Sequence, residues 1–286
     1  MKQAKEKLKK PHIRRDFLKE HIRQHKAVFA VYLVLRFIVV ALLVLELVQK
    51  QYESAFICVL VLVLFALPAF VQKNFGIQLP STLEILILLF IFAAEILGEL
   101  QSYYIHFAYW DTILHTTNGF VCAAFGFSLV DILCRNKQEK FRLSPLFMAV
   151  VAFCFSMTVG VLWEFFEYGM DKFSHTDMQK DTVIHSITTV ELDETQSNKA
   201  VTIDGITSVV INGQDLGLGG YLDIGLQDTM EDLMVNFVGA VVFCFFGFFY
   251  IKYRGRGKAS KVAAQFIPTI REEDTGDAPD APAPAE

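Results

Sequence analysis

The sequence predicts an all-α polytopic membrane protein with about six transmembrane helices and a small β-hairpin insert in one outer loop. Three observations support this fold class. Apolar residues make up 53% of the chain, and 27 of its 286 residues are phenylalanine. Several largely apolar runs reach about 18 residues or more, which is the length that a bilayer demands. One long polar stretch, residues 169–227, interrupts this pattern.

The apolar runs define the predicted spans and the segments between them. The six spans are residues 27–48, 55–72, 82–100, 110–134, 145–168 and 228–251. Pro68 falls in the second span, where its missing amide hydrogen predicts a kink or a helix end. The chain therefore divides into a basic tail, five spans, an extracytoplasmic loop, a last span and a second tail, which are residues 1–26, 27–168, 169–227, 228–251 and 252–286. Asp274–Glu286, rich in Pro, Ala and acidic residues, is predicted to be disordered.

Basic residues are distributed unevenly between the segments. With the N-terminus inside, the inner segments contain 21 Lys or Arg residues and the outer segments contain four. Because basic residues favour the cytoplasmic side, we expect both termini in the cytoplasm and the spans in the bacterial inner membrane. The tail 1–26 is interpreted as a topogenic segment, with binding to anionic lipid as the alternative.

Cysteine content and charge narrow the classes of function. The five cysteines fall within apolar runs and lack CxxC spacing, which argues against disulfides and against a thiolate metal site. The net charge of −5 says little about partners, and we expect membrane lipid and no nucleic acid. No segment has the composition of a soluble enzymatic domain.

The long outer loop carries the signals of a β-hairpin insert. Residues 187–192 and 200–213 alternate apolar and polar residues and contain Asp204-Gly205 and Asn212-Gly213. Such dipeptides favour tight turns, so we expect two or three short strands. Whether the insert at residues 182–220 is a lid, a docking surface or an addition without a role in the pocket stays open.

Polar residues are concentrated at, or just beyond, the outer ends of the spans. The residues concerned are Glu95, Glu99, Asp111, His115, Glu164, Glu167, Asp171, Asp228, Asp232 and Asn236. Asp111 and His115 are four residues apart, as are Asp228 and Asp232, so each pair lies on one helical face. If these faces converge, they line a pocket that opens to the outer side.

Carboxylates that lie close together at the end of membrane spans repel one another. They can reduce this repulsion by sharing protons or by binding a divalent cation. One imidazole with several carboxylates suits a hard or borderline cation whose identity stays open. The expected metal ligands are Asp111, His115, Glu164, Glu167, Asp228 and Asp232. Glu164 or Asp232 is the expected general base, and His115 is a further candidate for proton transfer. Asn236, Asp171, Glu95 and Glu99 are expected to complete the pocket.

Simpler interpretations apply to several of these residues. Asp111 and Asp228 have the positions of helix N-terminal caps, and Trp110 and Trp163 those of interfacial belt residues. Arg36, inside the first span, is expected either to extend toward the cytoplasm or to pair with a buried acid. Solvation explains the deeper polar residues less well, and these are His115, Glu164, Asp232 and Asn236.

Three short motifs occur in order in the last three spans. They are Asp111-Thr-Ile-Leu-His115, Glu164-Phe-Phe-Glu167 and Asp232-Leu-Met-Val-Asn-Phe-Val-Gly239. At these residues the chain resembles the YjdF-like group of uncharacterised bacterial membrane proteins. It is also similar, more distantly, to VanZ-like membrane proteins, which are associated with glycopeptide (teicoplanin) resistance. In the VanZ-like pattern Thr112 replaces a lysine and Glu167 replaces a glutamine. The resemblance implies a shared site more than a particular activity.

Two classes of function fit this pattern. The first is a membrane-embedded enzyme that hydrolyses or transfers a phosphate-containing headgroup of a lipid-linked or envelope substrate, with a divalent cation supplying positive charge. The second is non-enzymatic, either a protein that binds or shields an envelope ligand or drug, or an ion-coupled transporter. A transporter needs polar residues across the membrane, and the inner half offers mainly Arg36 and Asp131.

Overall fold

The structure is a computed structural model that describes residues 26–135, 143–253 and 255–270. Its α-helices are α1 (Lys26–Val48), α2 (Tyr52–Leu64), α3 (Leu67–Phe75), α4 (Ser81–Ile91), α5 (Tyr103–His106), α6 (Trp110–Arg135), α7 (Pro145–Ser174), α8 (Leu226–Lys252) and α9 (Lys258–Ala263). A π-helix, Phe92–Leu100, continues α4. The strands are β1 (Ile77–Gln78), β2 (Thr182–Ile184), β3 (Ser186–Thr189), β4 (Val201–Asp204), β5 (Val210–Ile211), β6 (Gln214–Asp215), β7 (Tyr221–Asp223) and β8 (Thr269–Ile270).

The predicted all-α membrane fold is confirmed. Within the described residues, five helical stretches are long and apolar enough to cross a membrane, and they are Lys26–Val48, Tyr52–Phe75, Trp110–Leu133, Pro145–Ser174 and Leu226–Lys252. Pro68 lies in the first turn of α3, so the predicted break in the second span is present. The helix predicted to end at residue 168 continues to Ser174, where His175 adopts a left-handed conformation and ends it.

The predicted third span, 82–100, is helical but not uniform. Residues 82–91 belong to α4, which has 11 residues, and the next nine form the π-helix, so neither part alone reaches the length of a span. Glu95 and Glu99 lie in this π-helix; Glu95 is half-buried and Glu99 is exposed. Sequence spacing alone does not indicate the change of hydrogen-bonding pattern at Phe92.

The described residues form two compact units. The first contains residues 26–103, 127–135, 249–253 and 255–270, and the second contains residues 104–126 and 143–248.

The core of the first unit is formed where α1 packs against α2 and α4. Val39, Cys58 and Val61 are fully buried there, whereas Phe37 on another face of α1 is 76% exposed, as expected of a lipid-facing residue. Arg36 donates a hydrogen bond to the hydroxyl of Tyr32, one helical turn nearer the N-terminus, and lies over its ring. Whether Arg36 extends toward the cytoplasm stays a prediction.

The second unit packs α6, α7 and α8 through small residues and aromatic edges. The Ser156 hydroxyl of α7 donates to the carbonyl of Gly119 in α6 over 2.8 Å. Phe120 of α6 meets Phe243 of α8 edge to face, with ring centroids 5.3 Å apart. These contacts bring the three helices that carry the sequence motifs into one bundle.

The loop between α7 and α8 forms three antiparallel strand pairs, which are β2 with β7, β3 with β4, and β5 with β6. Asn212 and Gly213 both have positive φ angles and form the predicted two-residue turn between β5 and β6. The prediction for Asp204-Gly205 was wrong. This dipeptide ends β4 without closing a hairpin, because the chain continues to Ile206, whose N–H donates to the carbonyl of His185.

The chain after α8 contains α9 and β8, and β8 pairs with β1. The predictions for the basic tail 1–25, for the 136–142 loop and for the tail Asp274–Glu286 lie outside the described residues.

Candidate functional site

Five predicted site residues converge in the second unit. Asp111 and His115 lie in the first turns of α6, Glu164 and Glu167 lie in the C-terminal part of α7, and Asp232 lies near the start of α8. We call these five residues the His–carboxylate cluster. The helical spacing recognised in the sequence therefore places the residues of three separate motifs in one site.

His115 lies between three carboxylates. Its Nε2 atom is 3.5 Å from Asp111 Oδ1 and 3.5 Å from Asp232 Oδ2. Its Nδ1 atom, on the other side of the ring, is 3.9 Å from Glu164 Oε1. The side chain of His115 is only 11% exposed, so these carboxylates form its immediate polar surroundings.

Two glutamates contribute oxygens that lack hydrogen-bond partners. Glu164 is 4% exposed and Glu167 is 7% exposed. Both carboxylate oxygens of Glu164, and Oε2 of Glu167, are buried without a hydrogen bond in the described part of the chain. A buried polar group without a partner costs about 1–3 kcal/mol, and more when it is charged. These oxygens therefore point to a group that the site is built to bind.

The ligand atoms of the cluster form two groups that share Asp232. One group is Asp111, His115 and Asp232, and the other is Glu164, Glu167 and Asp232. Within each group the candidate ligand atoms lie within 4.8 Å of one another. Ligands at about 2.0–2.2 Å from a metal lie up to about 4.4 Å apart, so small movements of these side chains would place them around an ion.

Trp163 holds one oxygen of Glu167. Its indole Nε1–H donates to Glu167 Oε1 over 2.8 Å, and the ring itself is 43% exposed. A residue expected only in an interfacial belt therefore also orients a member of the cluster.

Asp171 and Asp228, two further predicted pocket residues, bind the loop that follows α7. Asp171 accepts hydrogen bonds from the Thr176 hydroxyl and from the amides of Met178 and Gln179. Asp228 accepts a hydrogen bond from the amide of Lys180 over 2.8 Å. We call residues 176–180 the strap, because these bonds attach it to the ends of both α7 and α8.

Residues 31–253 match the family described as "Predicted membrane protein (DUF2238)". The chain belongs to this family. An uncharacterised protein of Thermotoga maritima is 25% identical over 95 residues, which cover 33% of this chain and 47% of that protein. The chain thus spans about half the length of the curated relative that it matches.

No solved structure matches this DUF2238 chain. The family match and the five apolar helices show a multi-pass membrane protein. The finer resemblances to YjdF-like and VanZ-like proteins stay predictions, because neither match names such a protein.

Two asparagine side chains, Asn118 and Asn236, lie about one helical turn beyond His115 and Asp232. Asn236, predicted for the pocket, is 1% exposed, and its Oδ1 atom lies 3.5 Å from Asn118 Nδ2. The Asn118 Oδ1 atom accepts from the thiol of Cys122 at 3.4 Å. Asn118 and Cys122 were not among the predicted site residues. The signal was present, because Asn118 follows His115 by three residues and so lies on the same helical face.

Glu95 and Glu99 belong to the first unit of this DUF2238 chain, and the cluster belongs to the second. Their assignment to the pocket stays a prediction.

Proposed function

We propose that this protein binds a divalent metal ion at the His–carboxylate cluster and is an enzyme that acts on a lipid-linked or cell-envelope substrate. The observation that carries this proposal is the convergence of two ligand groups on Asp232, together with the buried, unpartnered oxygens of Glu164 and Glu167. A divalent cation would satisfy those oxygens and offset the mutual repulsion of the carboxylates.

The chemistry of the ligands narrows the choice of metal. One imidazole and four carboxylates form a mixed nitrogen and oxygen site, which suits Mn²⁺, Fe²⁺ or Zn²⁺ better than a soft ion such as Cu⁺. A bound ion of this kind stabilises developing negative charge on a substrate oxygen and lowers the pKa of a bound water. Glu164 has two carboxylate oxygens, so one can bind the ion while the other accepts the proton of that water.

A lipid-linked substrate is favoured by the surface next to the cluster. Phe165, adjacent to Glu164 in α7, is 66% exposed, and Leu162 is 58% exposed. Since α7 is apolar enough to cross a membrane, these exposed side chains would face lipid tails in a bilayer. The distribution of Lys and Arg supports a bacterial inner-membrane location with both termini in the cytoplasm and the cluster at the outer face.

The metal content of the protein purified in mild detergent tests this proposal. Wild type is compared with Asp232→Asn and His115→Ala, with Asp177→Asn as a control that neutralises an exposed acid of the strap. We expect stoichiometric metal in wild type and in the control, and its loss from the two cluster variants. Melting temperatures of the metal-free proteins separate lost ligands from lost folding.

Two outcomes contradict the proposal in different ways. Metal absent from wild type, with Mn²⁺ and Zn²⁺ failing to raise its melting temperature, would exclude a metal-dependent function. Metal bound without turnover of lipid phosphates or polyprenyl phosphates would favour a protein that binds or shields an envelope ligand.

A further inference from the structure

We infer that the His–carboxylate cluster binds two divalent cations bridged by Asp232, and that its substrate is a phosphate ester. This inference rests on the proposed metal-dependent function and adds the number of ions and the class of substrate. It starts from Asp232, the one residue that the two groups of ligand atoms have in common. A carboxylate has two oxygens and can bind one ion with each.

The orientation of the His115 ring separates the two groups. Nε2 faces Asp111 and Asp232 at 3.5 Å each, whereas Nδ1 faces Glu164 at 3.9 Å. An ion bound by Nε2, Asp111 and Asp232 therefore lies on the opposite side of the ring from Glu164. That single ion leaves Glu164 outside its ligands.

The unpartnered oxygens indicate the position of the second ion. They belong to Glu164 and Glu167, which are both in the group that the first ion does not use. Glu167 is already oriented, because Trp163 donates to its other oxygen. A second ion bound by Glu164, Glu167 and Asp232 would satisfy these buried atoms. Each ion then has three protein ligands and retains open positions for water and substrate.

Charge balance also favours two ions. The cluster contains four carboxylates, and within the described residues their ion pairs are with His115, which binds metals as a neutral ligand. One divalent cation would leave two negative charges in a buried site, which is costly and would repel an anionic substrate. Two cations neutralise the four carboxylates, so an anionic phosphate group can approach.

Paired ions of this kind are suited to hydrolysis of a phosphate ester. Two metal ions about 3.5–4 Å apart stabilise both the attacking and the leaving oxygen of an in-line displacement. In this reaction a water oxygen bonds to phosphorus and the bond between phosphorus and the alcohol oxygen breaks. The proton that the water loses ends on the departing alcohol. Oxidant and reductant are not required.

Titration of the metal-free full-length protein with Mn²⁺ tests the number of ions. We expect two Mn²⁺ per chain and an electron paramagnetic resonance spectrum of a spin-coupled pair. Asp111→Asn and Glu167→Gln should each lower the stoichiometry from two to one and leave an uncoupled signal. Asp232→Asn should abolish the coupling, and Asp177→Asn should retain two coupled ions.

The outcomes separate this inference from the proposal on which it rests. One uncoupled Mn²⁺ per wild-type chain would overturn the binuclear site and leave the metal-dependent function standing. No bound Mn²⁺ would overturn both. Because wild type alone decides the count, a variant that fails to fold does not prevent the test.

The class of substrate is tested on the Mn²⁺-loaded protein with two probes. Inorganic phosphate should perturb the coupled spectrum of wild type, because it binds to the open positions of the ions. Phosphate release should be faster from a polyprenyl phosphate or phosphatidic acid in micelles than from a water-soluble aryl phosphate, if the substrate is lipid-linked. Two bound ions with neither perturbation nor release would refute the assignment to phosphate esters.

Discussion

Gly119 of α6 lies against the backbone of Asn236 in α8, so closely that a β-carbon on Gly119 would stand 2.1 Å from the Asn236 carbonyl oxygen. The contact is reciprocal along the same helix pair, since a β-carbon on Gly239 would stand 2.0 Å from the carbonyl oxygen of Thr116. Gly119 is one turn beyond His115, and Asn236 is one turn beyond Asp232. Direct backbone contact therefore sets the separation of the two helices that carry the cluster.

Replacing Gly119 with alanine should separate α6 from α8. The added methyl group meets backbone atoms that cannot rotate away, so we expect a loss of about 1–3 kcal/mol of stability or more. The displacement should also weaken metal binding, because His115 and Asp232 move apart. Melting temperature and metal content of Gly119→Ala in detergent measure both effects.

Gly169→Ala is the matched control for this substitution. A β-carbon at Gly169 in α7 would meet nothing within 4 Å, and alanine favours a helix interior by about 1 kcal/mol. We expect its stability to be equal to or above that of wild type. A Gly119→Ala protein as stable and as metal-rich as Gly169→Ala would refute the role of close backbone packing.

The convergence of the cluster could be predicted because helix geometry sets which residues share a face. Asp111 and His115 are four residues apart, and Glu164 and Glu167 are three apart, so each helix had one defined polar face. Since polar residues were concentrated at one end of the spans, packing these faces together was the arrangement that left the fewest groups in lipid. The break at Pro68 could also be predicted, because proline lacks the backbone N–H that a continuous helix requires.

The roles of Asp171 and Asp228 could not be predicted in the same way. A carboxylate accepts hydrogen bonds from whichever amides the nearby loop exposes, and the conformation of the strap is not encoded by residue spacing. The α-to-π change at Phe92 is similar, because it depends on packing rather than on local propensity. Sequence reasoning therefore predicted which side chains lie together but not the attachment of the strap to its helices.

Asp171→Ala should release the strap from α7. The variant removes the acceptor of the Met178 and Gln179 amides, and each hydrogen bond to a charged group contributes about 1.5–3 kcal/mol. We expect hydrogen exchange in residues 176–180 to accelerate by about tenfold or more. Mass spectrometry of peptides from this segment measures the change. Unchanged exchange in Asp171→Ala, matching that of Asp177→Ala, would show that other contacts hold the strap.

The ionised carboxylate of Asp193 should stabilise its loop down to an unusually low pH. The Thr195 hydroxyl and the amides of Lys199, Ser197 and Thr195 all donate to its carboxylate, and these bonds lower the pKa of Asp193 well below its ordinary value. Because the folded pKa lies below the unfolded pKa, the stabilisation is fully present above the unfolded value of about 3.9. It is lost as the pH falls through the folded pKa.

Carbon-13 nuclear magnetic resonance of the aspartate carboxylates measures this titration in the full-length protein. The resonance that disappears in Asp193→Asn identifies the residue, and its midpoint should lie below that of an unstructured peptide. The same variant should exchange the Ser197 and Lys199 amides faster at neutral pH. A titration midpoint at pH of about 3.9 would contradict the proposed hydrogen-bonded state of this carboxylate.

Trp163 should report metal binding at Glu167. The chain has two tryptophans, so Trp110→Phe leaves Trp163 as the single indole fluorophore. Its Nε1–H donates to Glu167 Oε1, and an ion on the same carboxylate withdraws negative charge from that acceptor. We expect Zn²⁺ to shift the emission of Trp163 to shorter wavelength, with a midpoint equal to that of metal binding.

In the Trp110→Phe background, Glu167→Gln should abolish the shift, because a neutral amide neither holds the ion nor changes charge. Stoichiometric Zn²⁺ binding without any change in emission would place Glu167 outside the ligands of the ion, and the second group of ligand atoms would then lose its support.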